Sequence, residues 1–214
     1  MMENENGKFE SREIISMFPT FVWQTMIKEE IYQTLNAEIV KKLNTLRQSK
    51  PEVDQDISWQ SDGDLHKLPE FGELISLVKE VTKSVLAFLK VGYEGIEITG
   101  CWANMNAIGS IHKIHSHPNN FLSGVYYVQT DEGSDAINFH DPRVQTGIIR
   151  PPVTELSTEN TDQVVVKVKN GMFLLFPSWL QHSVDANQSP QARISVSFNI
   201  MFSQYVDTMS KPLW

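Results

Sequence analysis

The amino-acid sequence predicts an α+β chain that is mainly β: two N-terminal helices packed on a C-terminal sandwich or barrel of short strands. Three observations carry this. Apolar residues recur at three- or four-residue steps over 30–46 and 69–90, the helical period. After Gly92 the chain changes to short runs rich in β-branched and aromatic residues. Turn signals, at Asp131–Asp135, Lys169-Asn-Gly171 and Asn187–Pro190, separate those runs.

In chain order, residues 1–12 are polar and read as frayed. Ile14–Trp23 reads as an extended segment. From Glu30 to Leu46, Ile31, Leu35, Ile39 and Leu43 mark one face of an amphipathic helix. Arg47–Gly63 is polar, holds Pro51 and Gly63, and reads as a loop. A second helix is expected over Pro69–Lys90, with Phe71, Leu74, Val78, Val81, Val85 and Phe88 on its apolar face and Pro69 in its first turn. Strands are expected at Ile96–Asn106, Phe121–Gln129, Ala136–Phe139, Val164–Val168, Met172–Phe176 and Arg193–Phe202. The expected organisation is one domain over 1–214. Residues 1–92 form the extended segment and support helices, 93–204 the β-rich core and 205–214 a tail.

The composition, 41% apolar and 21% charged, is that of an ordinary globular protein. A net charge of −8 argues against a phosphate-backbone binder, so no nucleic-acid partner is expected. The single cysteine, Cys101, excludes an intramolecular disulfide and a cysteine-rich zinc module. The acidic, polar start shows no secretory signal, and the longest apolar stretch, around Met172–Phe176, is far short of the roughly 20 residues of a spanning helix. A cytoplasmic location without membrane attachment is the expectation. The N-terminal helices offer a surface for a homodimer.

The chemistry is concentrated in three histidines, His115 and His117 in I-H-S-H-P and His182 in W-L-Q-H-S. Residues at i and i+2 on an extended strand share a face. A third histidine far along the chain can close a facial site that leaves coordination positions open. Arg193, inside an alternating strand, needs an acidic partner and can hold a carboxylate by a bidentate pair. Together these point to a metal-dependent enzyme with an acidic co-substrate. His112, three residues before His115, is expected on the opposite face, and His140 in a turn, so both are left outside the ligand set. Phe139, Phe173 and Trp179 are candidates to line a pocket, although large apolar side chains are mostly simply buried.

These residues fall in a longer pattern: Trp102-Ala-Asn104-Met-Asn106, His115-Ser-His117-Pro118, Ser123-Gly-Val-Tyr-Tyr127-Val, Phe139-His-Asp-Pro-Arg143, Leu175-Phe-Pro-Ser-Trp-Leu-Gln-His182 and Arg193-Ile-Ser-Val-Ser-Phe-Asn199. The pattern, over about residues 96–202, resembles the 2-oxoglutarate- and Fe(II)-dependent oxygenases with a double-stranded β-helix (jelly-roll, cupin-like) core. Prolyl hydroxylases share its wider form. The resemblance implies Fe(II), 2-oxoglutarate as co-substrate and O2, with hydroxylation of an unidentified small molecule or peptide and release of succinate and CO2. It implies His115 and His182 as metal ligands and Arg193 on the distal carboxylate of 2-oxoglutarate. Tyr127 and Ser195 would add hydrogen bonds there, and Asn104 and Asn106 would contact co-substrate or substrate.

One departure stands out. The usual triad is two histidines and a carboxylate, whereas the second position here is His117. Three neutral imidazoles leave the ion its full charge, which favours a dianionic co-substrate. They also keep open a three-histidine cupin-type metalloenzyme that does not use 2-oxoglutarate, such as a thiol dioxygenase. Asp141 is a further candidate for the third ligand. A jelly-roll of this kind is also compatible with a non-catalytic binding module.

Overall fold

The computed structural model describes residues 11, 13–49, 58–143, 148–149, 151–206 and 208. Residues 1–10 and 12 of the expected frayed start, 50–57 of the expected loop, and most of the expected tail lie outside them. Two helices, α1 (Glu29–Gln48) and α2 (Gly72–Phe88), precede most of the strands. The strands are β1 (Trp23–Met26), β2 (Trp59–Gln60), β3 (Ile96–Asn106), β4 (His112–His115), β5 (Leu122–Gln129), β6 (Ala136–His140), β7 (Gln163–Lys167), β8 (Met172–Pro177), β9 (His182–Val184) and β10 (Arg193–Phe202). A last turn, α3, covers Ser203–Val206.

A six-stranded sheet runs β1-β8-β5-β10-β3-β2 and a four-stranded sheet runs β4-β9-β6-β7. The pairings within both are antiparallel. From β4 onward the chain steps between the sheets: β4 small, β5 large, β6 and β7 small, β8 large, β9 small, β10 large. This is the double-stranded β-helix, mainly β with helices on one side.

Alternation along the long strands makes two cores. One face of the large sheet, with Cys101, Ala103, Met105, Tyr126, Phe173, Val196 and Phe198, packs with the helices. The helices contribute Leu35, Ile39 and Leu43 from α1 and Leu74, Val78, Val81 and Val85 from α2, all buried. Each such aliphatic side chain contributes about 1.5–3 kcal/mol when removed from water. The other face meets the small sheet through Val125, Tyr127, Leu174, Phe176, Ile137 and Phe139. The helical layer therefore braces the back of the sheet whose front carries the polar residues of the cavity.

The expected helices and long strands are present, with informative differences. Residues 14–22 are not strand; pairing begins at Trp23, and Ile14, Ile15, Met17 and Phe18 are exposed. Phe18 takes a positive φ of 55° just before Pro19, which breaks extension. Pro69 opens a short 3-10 turn, Pro69–Phe71, and α2 follows it. Phe88 is 57% exposed although it keeps the helical period, because its ring meets Phe21 (5.2 Å) and Trp23 (5.9 Å) rather than the core. The turn between β7 and β8 ends on Gly171, whose φ of +79° suits glycine. A Cβ there would also collide with the Tyr32 ring of α1.

Candidate metal centre and co-substrate pocket

The three histidines meet at one end of the small sheet. In the β4–β9 pair, His115 stands directly opposite His182. His117 lies two residues beyond the end of β4, where its backbone N–H donates to the Ser178 carbonyl (2.9 Å). The expected i, i+2 pair is thus a strand residue and a loop residue, brought together by the loop rather than by a shared strand face. One ligand atom from each of the three lies within 4.8 Å of the others. Ring centroids are 4.3 Å apart for His115–His182, 5.0 Å for His115–His117 and 5.2 Å for His117–His182.

Backbone carbonyls orient two of the rings. His115 Nδ1 lies 2.7 Å from the Lys113 carbonyl, and His182 Nδ1 lies 3.0 Å from that of Leu180. A carbonyl only accepts, so each Nδ1 carries the proton and each Nε2 presents its lone pair. That is the arrangement found behind metal-bound histidines. Burial, together with the neighbouring His115, His117 and His112, outweighs the bond to Leu180 and pushes His182 down to about 3. Burial and then His115 push His117 down to about 4. Both rings are neutral at physiological pH, the form that binds a metal. Three converging imidazoles with open space beside them fit Fe(II).

Facing the triad across the cavity is the start of β10. Arg193 is 4% exposed. Its Nη1 donates to the Ala136 carbonyl (3.3 Å), but its buried Nε has no partner, and no carboxylate of the described residues pairs with it. The guanidinium carbon sits 5.2 Å from the centroid of the Tyr127 ring. The Tyr127 hydroxyl is fully buried beside the Arg193 guanidinium and has no acceptor for its own proton among the described residues. Burial holds this phenol above its ordinary range, against the pull of Arg193. Two adjacent polar groups, one cationic, are therefore buried with hydrogen bonds unmade, each at a cost of about 1–3 kcal/mol or more. A carboxylate in the cavity satisfies the guanidinium, which Tyr127 backs.

A cavity of about 710 Å³ separates the two groups. His115, His117 and His182 line one side, and Arg193, Ser195, Asn104 and Asn106 the other. Tyr127 stands behind Arg193 and does not line it. Ser195 is buried directly across the β10–β5 pair from Tyr127. Asn104 donates to Ser197 Oγ (3.4 Å). Asn106 Oδ1 lies 3.2 Å from His112 Nε2.

His112 corrects the expectation. It lines the same cavity as the triad, because the β4–β9 register shifts between His112 and His115. An irregular strand does not keep period two, and no residue type in I-H-K-I-H marks the shift. Burial, then Arg193 and His115, push His112 down to about 4. His140 is outside the cluster; its Nε2 lies 2.9 Å from Ser183 Oγ. Asp141 is also outside it, and its carboxylate is paired with Arg143 (2.7 Å), which holds it below the usual range. Of the candidate aromatics, Phe139 packs in the inter-sheet core, Phe173 faces the helices, and Trp179 is 55% exposed. Phe176 lines the cavity instead, 4.7 Å from the His182 ring.

The fold and this site combine a double-stranded β-helix with three histidines that could hold a metal ion and a buried arginine facing them across the cavity. Residues 100–199, most of the β-helix core, match the family model described as "Putative 2OG-Fe(II) oxygenase", and over that span the chain is similar to this family. Solved structures agree on the fold. A prolyl-4-hydroxylase from Pseudomonas putida superposes with a TM-score of 0.57 at 12% identity, covering 86% of this chain and 93% of that one. HygX from Streptomyces hygroscopicus, solved with nickel and 2-oxoglutarate bound, gives 0.57 at 12% identity over 86% and 83%. A prolyl hydroxylase from Trichoplax adhaerens, in complex with a hypoxia inducible factor peptide fragment, gives 0.59 at 14% over 88% and 87%. No curated protein sequence matches the chain.

Proposed function

We propose that His115, His117 and His182 hold the Fe(II) of this oxygenase, and that Arg193, with Tyr127 behind it, holds the distal carboxylate of 2-oxoglutarate. The observation that carries the reading is the unmatched pair, the Arg193 Nε and the Tyr127 hydroxyl, buried across one cavity from three converging imidazoles. A triad alone fits many metalloenzymes. A buried cation without a counter-charge, beside a phenol without an acceptor, asks for a carboxylate as well.

Bound iron and 2-oxoglutarate supply the oxidising chemistry, in which O2 is consumed, succinate and CO2 are formed, and an oxygen atom is inserted into a substrate C–H bond. The chain does the rest. Lys113 and Leu180 carbonyls fix the His115 and His182 tautomers. Arg193 sets the direction in which the diacid lies, and Ser195 and Asn104 add hydrogen-bonding capacity along its length. Phe176 and the inter-sheet core close the floor beneath His182 to water.

The domain reading belongs to the same proposal: one unit, with 1–92 supporting a 93–204 core. So does residence in the cytoplasm, where reducing conditions keep iron ferrous. No helix of the described residues is long and apolar enough to cross a membrane. A small-molecule or peptide substrate, no nucleic acid, and a homodimer through the N-terminal helices complete it. A thiol dioxygenase is supported by the carboxylate-free triad but has no use for the unmatched Arg193.

The test is an anaerobic titration of Fe(II) and 2-oxoglutarate into metal-free protein, followed by the weak visible charge-transfer band of the chelate. A band that forms in the wild type and is lost in His182→Ala supports the reading. Iron binding without a band moves the assignment to the thiol-oxidising class.

A further inference from the structure

The cavity is longer than a five-carbon diacid. Its floor is a ladder of cross-strand pairs from β10 and β3: Arg193 opposite Asn106, Ser195 opposite Asn104, Ser197 opposite Trp102 and Asn199 opposite Gly100. At about 3.3 Å per residue, the β10 side spans roughly 20 Å from Arg193 to Asn199. The Arg193 end serves the co-substrate in the reading above, on which this inference rests. The Asn199 end is left for the molecule to be oxidised.

That end has a defined chemistry. Among the described residues lining the cavity there is no Asp, Glu or Lys, and the only arginine is Arg193 at the far end. Beside the Asn199–Gly100 pair, Trp102, Ser197 and Thr99 line the cavity. Asn199 Oδ1 accepts a hydrogen bond from Ser123 Oγ (2.7 Å), which fixes the amide so that its Nδ2 is the free end. That nitrogen has no partner among the described residues. Gly100 keeps the space over it clear: a Cβ at Gly100 would lie 3.4 Å from the Trp102 ring and 4.0 Å from Asn199 Nδ2. An indole face and an amide donor thus flank a gap that one ligand group can enter.

We propose that Asn199 is a specificity-determining residue for the primary substrate. Its Nδ2 donates to an oxygen acceptor of an uncharged, flat group that stacks on Trp102. Charged groups are disfavoured because nothing at this end compensates their desolvation. An amide carbonyl on a ring or in a peptide plane has the required shape.

The test uses three fragments of one size and different charge: benzamide, benzoate and benzylamine. Binding is measured by ligand-observed NMR to protein loaded with Zn(II), which does no redox chemistry, and with saturating 2-oxoglutarate, so that Arg193 is engaged. Benzamide is expected to bind at least fivefold more tightly than either charged fragment. Asn199→Leu should erase that preference, since one hydrogen bond is worth about five- to tenfold in affinity. Gly100→Ala, which keeps the amide but narrows the gap, should weaken benzamide too. Equal binding of the three, a preference for a charged one, no binding of benzamide at millimolar concentration, or an unchanged preference in Asn199→Leu overturns the proposal. Failure of 2-oxoglutarate itself to bind, read separately by calorimetry, overturns the co-substrate reading and this inference with it.

Discussion

Replacing Arg193 by methionine should push stability and binding in opposite directions. The side chains are similar in volume, so packing against Tyr127 is largely kept. In the ligand-free protein Arg193 is a buried cation with one long backbone hydrogen bond, an unmatched Nε and no carboxylate. Exchanging such a group for a well-packed apolar one stabilises by about 1–4 kcal/mol. For a chain of this size each kcal/mol moves the melting temperature by about 2–4 °C. Arg193→Met should therefore melt a few degrees higher than wild type without ligands. Breaking a buried ion pair by removing one partner costs about 3–5 kcal/mol, and each 1.4 kcal/mol is tenfold. The dissociation constant for 2-oxoglutarate should rise by roughly 10²- to 10³-fold, while iron stoichiometry stays at the wild-type value. Thermal melts of the metal-free proteins and anaerobic titrations of the iron-loaded ones read the two effects independently. A lower melting temperature, as any core truncation gives, would falsify the view that Arg193 is held in an unsatisfied state for a ligand. A change of less than tenfold in affinity would remove it from the carboxylate site.

Four further outcomes follow from the same geometry. His182→Ala should reduce bound iron to background by metal analysis while keeping a wild-type far-UV circular dichroism spectrum; retained iron would exclude His182 as a ligand. Tyr127→Phe removes a buried hydroxyl whose proton has no acceptor, so the ligand-free protein should gain about 1 kcal/mol while 2-oxoglutarate binds about fivefold more weakly; unchanged affinity would take the phenol out of the site. In metal-free protein the folded-state His182 is depressed to about 3 against about 6.5 unfolded, so on acidification the unfolded chain takes up its proton first. The contribution is complete above pH 6.5 and is lost towards pH 3, at most about 2 kcal/mol of it between pH 6.5 and 5; urea titrations should show that slope and its reduction in His182→Ala. Gly171→Ala places a Cβ at φ +79° against the Tyr32 ring and should cost about 1–3 kcal/mol in urea unfolding, with no effect on metal content.

Much of this is legible in the sequence because the carrying elements are long. β3 and β10 alternate over 11 and 10 residues, enough for period two to stand out, and their ends fall at the expected positions. The helical faces through Leu35, Ile39, Leu43 and Leu74, Val78, Val85 are legible for the same reason. Short elements are not. β4 and β9 have four and three residues, fewer than a pattern needs, yet they set the His115–His182 pairing. The inward turn of His112 depends on a register shift that no residue type marks. The apolar run at 14–22 shows the converse error: composition suggests extension, but without a neighbouring strand until Trp23 those residues stay outside the sheet. The unmatched state of Arg193 and Tyr127 is also a property of three-dimensional neighbours alone.

β4 is the outermost strand of the small sheet and is joined to β9 through an irregular register. In the proposed centre the ion joins His115 of that strand, His117 just beyond it and His182 of its neighbour. It therefore acts as a cross-strand clasp as well as a reagent. Without the clasp, the amides of Lys113 and Ile114 belong to the part of the small sheet that opens most easily. A cell short of iron would then hold a chain that is idle and also frayed along one margin, open to proteases there and prone to strand pairing. The same contact that starts the chemistry would tie the lifetime of the protein to its metal supply.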